Sequence, residues 1–184
     1  MIILLSILGV LIIVIIGIYN RLVGLKNRVE YANGSVDAMF KQRYDLIPNL
    51  VAAVKQYMQH EKGLLETLTG LRSKSQNPDL TEAERNTLNS EIDKALNSFN
   101  VTVENYPDLK ADQQFSMLQA SLNECEGQIA AARRTYNATV MNYNNGLEMF
   151  PTNIVASMMG YKQKMMIEAI EEEKQRPNVA ELFK

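Results

Sequence analysis

The stretch 115–150, FSMLQASLNECEGQIAAARRTYNATVMNYNNGLEMF, decides the fold class. Within it Phe115, Leu118, Leu122, Cys125, Ile129, Ala132, Tyr136, Val140, Tyr143, Leu147 and Phe150 recur in steps that nearly all alternate between three and four. An α-helix turns once in about 3.6 residues, so this spacing lines those side chains along one face, whereas a strand needs alternation at two. Heptad spacing of this length predicts a long helix, packed against antiparallel neighbours in a bundle or against another chain in a coiled coil.

The same period extends upstream. Thr81 followed by Glu84 is a capping-box pattern, and it predicts a helix that buries Leu88, Ile92, Ala95, Leu96, Phe99 and Val103 and ends at Asn105-Tyr106-Pro107-Asp108. Before it, Ile47, Leu50, Val51, Val54, Tyr57, Met58, Leu64, Leu65, Leu68 and Leu71 form another stripe, on which Glu61 is the only charge. Pro48 disfavours α geometry at Ile47, so a helix boundary is expected between Tyr44 and Ile47, with Asp45 close to the new amino terminus. In 20–42, Leu22, Leu25, Val29, Val36, Met39 and Phe40 keep helical spacing, weakened by Gly24 and Gly34. No segment after Asn20 alternates as a strand does. The expected fold is all-α: an N-terminal transmembrane helix followed by an antiparallel bundle of about four long helices.

The first 19 residues are a different material. Sixteen of them are apolar and none is charged. As a helix, residues 2–19 span about 27 Å, close to the thickness of a bilayer core. β-branched residues dominate the run, but in lipid every backbone polar group must be paired internally, which forces a helix. A cleaved secretory signal needs a basic n-region and a small-residue cleavage site, and neither is present, so a retained anchor contacting membrane lipid is expected. Arg21, Lys26 and Arg28 follow the run with only Glu30 opposing, which favours an outside amino terminus and a large cytoplasmic domain. Three regions result: an anchor at 1–19, a helical bundle at 20–160, and an amphipathic, acidic tail at 161–184 that carries Met165, Met166, the run Glu171 to Glu173 and Pro177.

Composition removes several function classes. A formal net charge of -2 argues against a general polyanion binder, so no nucleic-acid partner is expected. One cysteine, Cys125, cannot close an intrachain disulfide, and one histidine, His60, cannot supply a paired-histidine metal site. No phosphate loop, nucleophile elbow or zinc-ligand pair occurs, and no cofactor is expected. The triplets beginning at Asn33, Asn100 and Asn137 match a glycosylation acceptor only by chance in an asparagine-rich chain.

Several blocks together resemble a known family. Arg43-Tyr44-Asp45-Leu46-Ile47-Pro48-Asn49-Leu50-Val51, then Val54, Tyr57 and His60-Glu61, are similar to the signature of the LemA family. Glu104-Asn105-Tyr106-Pro107-Asp108-Leu109-Lys110-Ala111, Ala132-Arg133-Arg134-Thr135-Tyr136-Asn137, Tyr143-Asn144 and Phe150-Pro151 match its later blocks in order. The resemblance runs from the anchor to about Gly160, beyond which the tail departs from the usual pattern. It implies a bacterial single-pass membrane protein with a bundle of long helices, and it brings no accepted enzymatic activity.

The candidate motif residues are Arg43, Asp45, Pro48, Asn49, His60, Glu61, Glu104, Arg133, Tyr136 and Asn137. A carboxylate beside an imidazole, as in His60-Glu61, can serve acid-base chemistry or hold a metal. A helical metal site, however, wants a second ligand three or four residues on, where Gly63 and Leu64 stand, so a structural polar pair is the leading reading. Arg43 with Asp45, and Arg133 or Arg134 with Glu61, Glu104 or Glu126, are expected to form charge-assisted bonds that set helix register; a docking surface at the first interhelical turn is the competing account. Function is therefore expected in assembly, not chemistry: a non-enzymatic, membrane-anchored homo-oligomer that scaffolds bacterial membrane or envelope structures. The second reading is an adaptor or regulatory partner of a membrane protease or sensor.

Overall fold

The computed structural model describes residues 1–167. It is all-α, and no strand occurs among the described residues. Six helices follow in order: α1 (Ile2–Val54), α2 (Lys62–Ser75), α3 (Glu82–Val103), α4 (Pro107–Lys110), α5 (Gln113–Glu148) and α6 (Thr152–Met158). The acidic run Glu171 to Glu173 and Pro177 lie outside the described residues.

The predicted boundary at Pro48 is absent, because α1 runs through it. Proline inside a helix removes one backbone bond and crowds the preceding turn, at a cost of about 3 kcal/mol. Around it Ile47, Leu50 and Val54 are fully buried, and each such side chain contributes roughly 1.5–3 kcal/mol relative to exposure. Their burial outweighs the proline penalty, and Pro48 itself sits on the solvent side. The break comes later. After Val54 the chain turns through residues 55–61, with the amides of Tyr57 and Met58 both donating to the Val54 carbonyl at 2.9 Å, so the predicted 47–71 helix is divided between the end of α1 and α2.

The described residues form two compact units, 1–37 with 130–167 and 38–129. In the second, one apolar core draws Ile47, Leu50, Met58, Leu68, Ile92, Phe99, Leu109 and Phe115 together from five helices and the 55–61 turn. Hydrogen-bond pairings give its topology. Residues 43 and 61 of the first segment meet 93 and 106, so α3 runs alongside α1 in the same sense; residues 57 and 43 meet 112 and 126, so α5 returns antiparallel. The capping box at α3 is present as predicted: Glu84 N–H donates to Thr81 Oγ at 3.3 Å, and Thr81 N–H donates to the Glu84 carboxylate at 2.8 Å.

In the first unit, Leu22 packs with Val155 and Ala156 of α6, joined by Ile18, Leu147 and Tyr161. Gly146 permits this approach, since a Cβ there would lie 2.7 Å from Leu25 Cδ1. The apolar stretch at the start of α1 is different: its side chains are exposed, and none of its most apolar 18-residue window is buried within the chain. By length and composition this is the one described helix able to cross a membrane.

The α5 stripe is used within the chain. Phe115, Leu122, Cys125, Ile129, Tyr136, Val140 and Tyr143 are buried, Leu118, Ala132 and Leu147 half-buried, and only Phe150 is left outside, 80% exposed. Ile92→Ala in the second core should lower unfolding stability by about 2–5 kcal/mol, while Val101→Ala on the exposed face of the same helix should stay within about 0.5 kcal/mol. Denaturant titration of the detergent-solubilised protein checks both.

Candidate functional site

The most constrained polar group is the Arg43 guanidinium on α1, which is fully buried. Its Nη1 donates to Asp93 Oδ1 and, at 2.9 Å, to Glu126 Oε1; its Nη2 donates to Asn89 Oδ1 at 3.2 Å. The Tyr44 hydroxyl also donates to Asn89 Oδ1. The rings of Phe40 and Tyr44 stack at 8° with centroids 6.3 Å apart, and the guanidinium carbon lies 5.3 Å and 5.9 Å from them. Helical spacing explains the arrangement. Residues 40, 43 and 44 share one face of α1, and residues 89 and 93 share one face of α3.

Burial opposes the charge on Arg43, but the Asp93 and Glu126 carboxylates outweigh that penalty and hold the guanidinium above its ordinary pKa. A cation held so firmly exchanges no proton near neutrality. The three acceptors come from α3 and α5, so the group fixes the register of three helices at one level. An open cleft of about 130 Å³ adjoins it, lined by Asp93, Asn97, Gln119, Asn123 and Glu126 among others. That is well below the ~300–1,000 Å³ of small-molecule sites.

Arg43 does not meet Asp45, contrary to the sequence expectation. Positions two apart on a helix point in different directions, and Asp45, Pro48 and Asn49 are all exposed. Nor is Asp45 near a helix start. Each carboxylate expected to pair with Arg133 or Arg134 has another partner: Glu126 holds Arg43, Glu104 binds Lys110 at 2.6 Å on the surface, and Glu61 accepts from the Tyr106 hydroxyl at 3.3 Å. Arg133 is half-buried and Arg134 exposed. His60 is exposed in the 55–61 turn, while Glu61 caps the start of α2 without a side-chain cap bond. Desolvation, then the nearby Glu61 carboxylate, pushes the Tyr106 phenol above its ordinary pKa. Beside it, Tyr57 donates to Asp112 Oδ2 at 3.3 Å, and Asp112 Oδ1 accepts the Phe115 amide at 2.9 Å as α5 begins. Tyr136 and Asn137 lie in the other unit, bonded to the main chain of residues 165 and 167.

Asn89 and Asp93 were not singled out in the sequence. Their one signal is an i, i+4 polar pair flanking the stripe through Leu88 and Ile92, facing a helix whose only buried charge is Arg43. Among the described residues, no group of three histidine, cysteine, aspartate or glutamate side chains is placed to hold a metal.

The LemA family model matches residues 32–180. The chain belongs to the LemA family. The match includes the Arg43 cluster, the Glu61–Tyr106 pair and the Tyr136-Asn137 face; it begins inside α1, past the apolar stretch, and continues beyond Gly160, so the tail is part of the family segment and not an addition to it. Protein LemA of Metamycoplasma hominis is 27% identical over 175 residues, covering 95% of this chain and 80% of that protein. Magnetosome proteins MamQ 1 and MamQ 2 of Paramagnetospirillum magneticum are each 33% identical over 69 residues, which is 38% of this chain and a quarter of theirs.

Arg43→Ala, which leaves a buried void and removes the cation facing the mostly buried Asp93 carboxylate, should destabilise by about 3–5 kcal/mol. Glu126→Gln should cost no more than about 1 kcal/mol, since that carboxylate is 43% exposed and solvent already screens it. Chemical denaturation of the two variants gives the ordering. Next to this cluster Cys125 is buried, its thiol donating to the Met39 carbonyl at 3.6 Å. Burial first, and then Glu126, push that thiol above its ordinary pKa, leaving less thiolate at a given pH. A thiol reagent at pH 7 should therefore leave the folded protein unmodified and label one cysteine per chain only after denaturation.

Proposed function

We propose that the protein is a non-enzymatic, single-pass, membrane-anchored helical protein that assembles with copies of itself to scaffold or organise a bacterial membrane or envelope structure. The observation that carries this reading is the exposed apolar start of α1. In water each of its isoleucines and leucines would forgo roughly 1.5–3 kcal/mol of burial, and a continuous apolar surface of that extent marks a membrane or partner contact. α1 also continues without interruption from this stretch into the packed residues Ile18, Leu22 and Val29. Removal of a signal after residue 19 would cut inside a packed helix, which supports a retained anchor. Arg21, Lys26 and Arg28 beside the anchor support a cytoplasmic placement of the larger part.

Self-association must use surfaces other than the apolar part of the α5 stripe, Phe115 to Ile129, which is buried within one copy. Met141, Met149, Phe150, Met158 and Met165 are exposed apolar side chains available for it. Methionine and phenylalanine on an open surface also suit an adaptor that docks a membrane partner, and that is the second reading. Light scattering of the detergent-extracted protein should give a multiple of the 20.8 kDa chain mass; a monomer at membrane-relevant protein-to-detergent ratios would sink the self-assembly reading. In native membranes, crosslinks between copies are expected, whereas a stable hetero-partner with no self-adducts favours the adaptor.

A further inference from the structure

The segment after α6 begins at Tyr161, which packs against the Leu22 core, and beyond it is held to α5 by bonds to its main chain. Asn144 Nδ2 donates to the Lys164 carbonyl at 2.9 Å, and the Lys164 amide donates back to Asn144 Oδ1 at 3.0 Å. Seven residues earlier, Asn137 grips Ile167 identically, both bonds at 2.9 Å. Two tyrosines repeat the spacing: Tyr143 donates to the Lys162 carbonyl at 3.1 Å and Tyr136 to that of Met165 at 3.3 Å. The dipeptide Tyr-Asn thus occurs twice, at 136–137 and 143–144, and the two copies read the tail three residues apart, at 165 and 167 and at 162 and 164.

The register follows from geometry. Seven residues of helix rise about 10.5 Å, and three residues of extended chain rise about 9–10 Å, so a seven-residue repeat on a helix matches a three-residue repeat on an antiparallel extended segment. Every one of these six bonds goes to the main chain. The side chains of Lys162, Gln163, Met165 and Met166 remain exposed, and a further bond, from Gln163 Nε2 to Glu148 Oε1 at 2.7 Å, lies on the surface, so the helix recognises chiefly an extended backbone with N–H groups at two positions. Burial, together with Tyr161 and Glu30, raises the Tyr143 phenol, which keeps it a donor.

We propose that Tyr136, Asn137, Tyr143 and Asn144 form a binding site for an extended peptide backbone, and that it takes the 161–167 segment of a second copy, so that neighbouring chains exchange these segments. This rests on the self-assembly reading above. The ligand is the one seen seated in the site, and a second copy supplies the same segment. Exchange between identical chains replaces each contact with its equal, so it needs only an adaptable connection and a high local concentration. Gly160, at φ +68°, stands where the segment leaves α6, and an anchor common to all copies confines them to one plane. Phe150, Met158 and Met165, in the same unit, are exposed apolar side chains that an exchanged pair could cover.

The test uses full-length chains carrying C-terminal donor or acceptor labels in detergent micelles. Asn137→Ala with Asn144→Ala removes the clamp and keeps the segment; Lys164→Pro with Ile167→Pro keeps the clamp and removes both N–H donors. Alanine is a stronger helix former than asparagine, so α5 persists in the first variant, and the circular dichroism of each variant should equal that of the parent. Hydrogen exchange should show Lys164 and Ile167 protected in the parent and released in the clamp variant. The parent should self-associate, each variant alone should associate about tenfold or more weakly, and mixing the two variants should restore energy transfer. If the mixture stays dark, or if both variants alone associate as the parent does, exchange is overturned while self-assembly stands. If the parent itself is a monomer with those two amides protected, both readings fall and the clamp acts only within one chain.

Discussion

Arg43 is the constraint on which the larger unit depends. A guanidinium without solvent contact is tolerable only when its charge and most of its donors are answered, and here Nη1 and Nη2 are answered by Asn89 and Asp93 on α3 and by Glu126 on α5, while the buried Nε has no hydrogen-bond partner among the described residues. A buried ion pair contributes little net stability compared with a hydrophobic replacement, because desolvation cancels most of the attraction. Its consequence is discrimination. Sliding α3 by one residue turns Asp93 about 100° around its axis and leaves a buried cation without partners, a penalty that leucine-on-leucine packing along the same helices cannot impose. Apolar contacts make the bundle stable, and Arg43 selects one register of it.

The same logic explains why α1 survives Pro48. The helix is fixed before the proline by Arg43 and Ile47 and after it by Leu50 and Val54, all buried. Local preference predicts a boundary there, and tertiary packing overrides it. What ends the helix is the 55–61 turn, which buries Met58 and brings Tyr57 to Asp112 and Glu61 to Tyr106. These two tyrosine–carboxylate contacts join the first interhelical turn to the α3–α5 connection, so residues 61 and 104–112, which resemble one family signature in separate blocks, act at one end of one bundle.

Much of the fold was legible because it rests on periodicity. The α3 cap and its buried set, the α5 stripe and the apolar start of α1 follow from local spacing and hydropathy. The candidate site was legible only in part. That Arg43 and Glu61 matter follows from charges placed on apolar stripes, but their partners lie 45 to 83 residues away, and no local rule selects Asp93 over Asp45 or Tyr106 over His60. Pairing Arg43 with Asp45 by proximity in sequence failed for a geometric reason: residues two apart on a helix diverge, and polar groups meet across helices. The position of a stripe is local information, whereas the identity of what faces it is not.

α5 shows how one period can serve two kinds of recognition. Through Ile129 its buried face is apolar, with Phe115 and Leu122 meeting side chains of a core, where volume and shape decide the fit. From Tyr136 the same seven-residue step carries tyrosine followed by asparagine, and what it meets is main chain. Packing of the first kind is specific to the residues that fill it, so it commits that face to this chain's own helices. Recognition of the second kind tolerates any extended segment of suitable reach without proline at the two donor positions, because every other residue's amide presents one donor and one acceptor whatever its side chain. A heptad pattern therefore identifies a helix and its buried face, but whether that face closes a core or receives a strand depends on which residues occupy it. In this chain the change of residue type at Tyr136 marks the point where a stripe built for permanent packing becomes one suited to exchange.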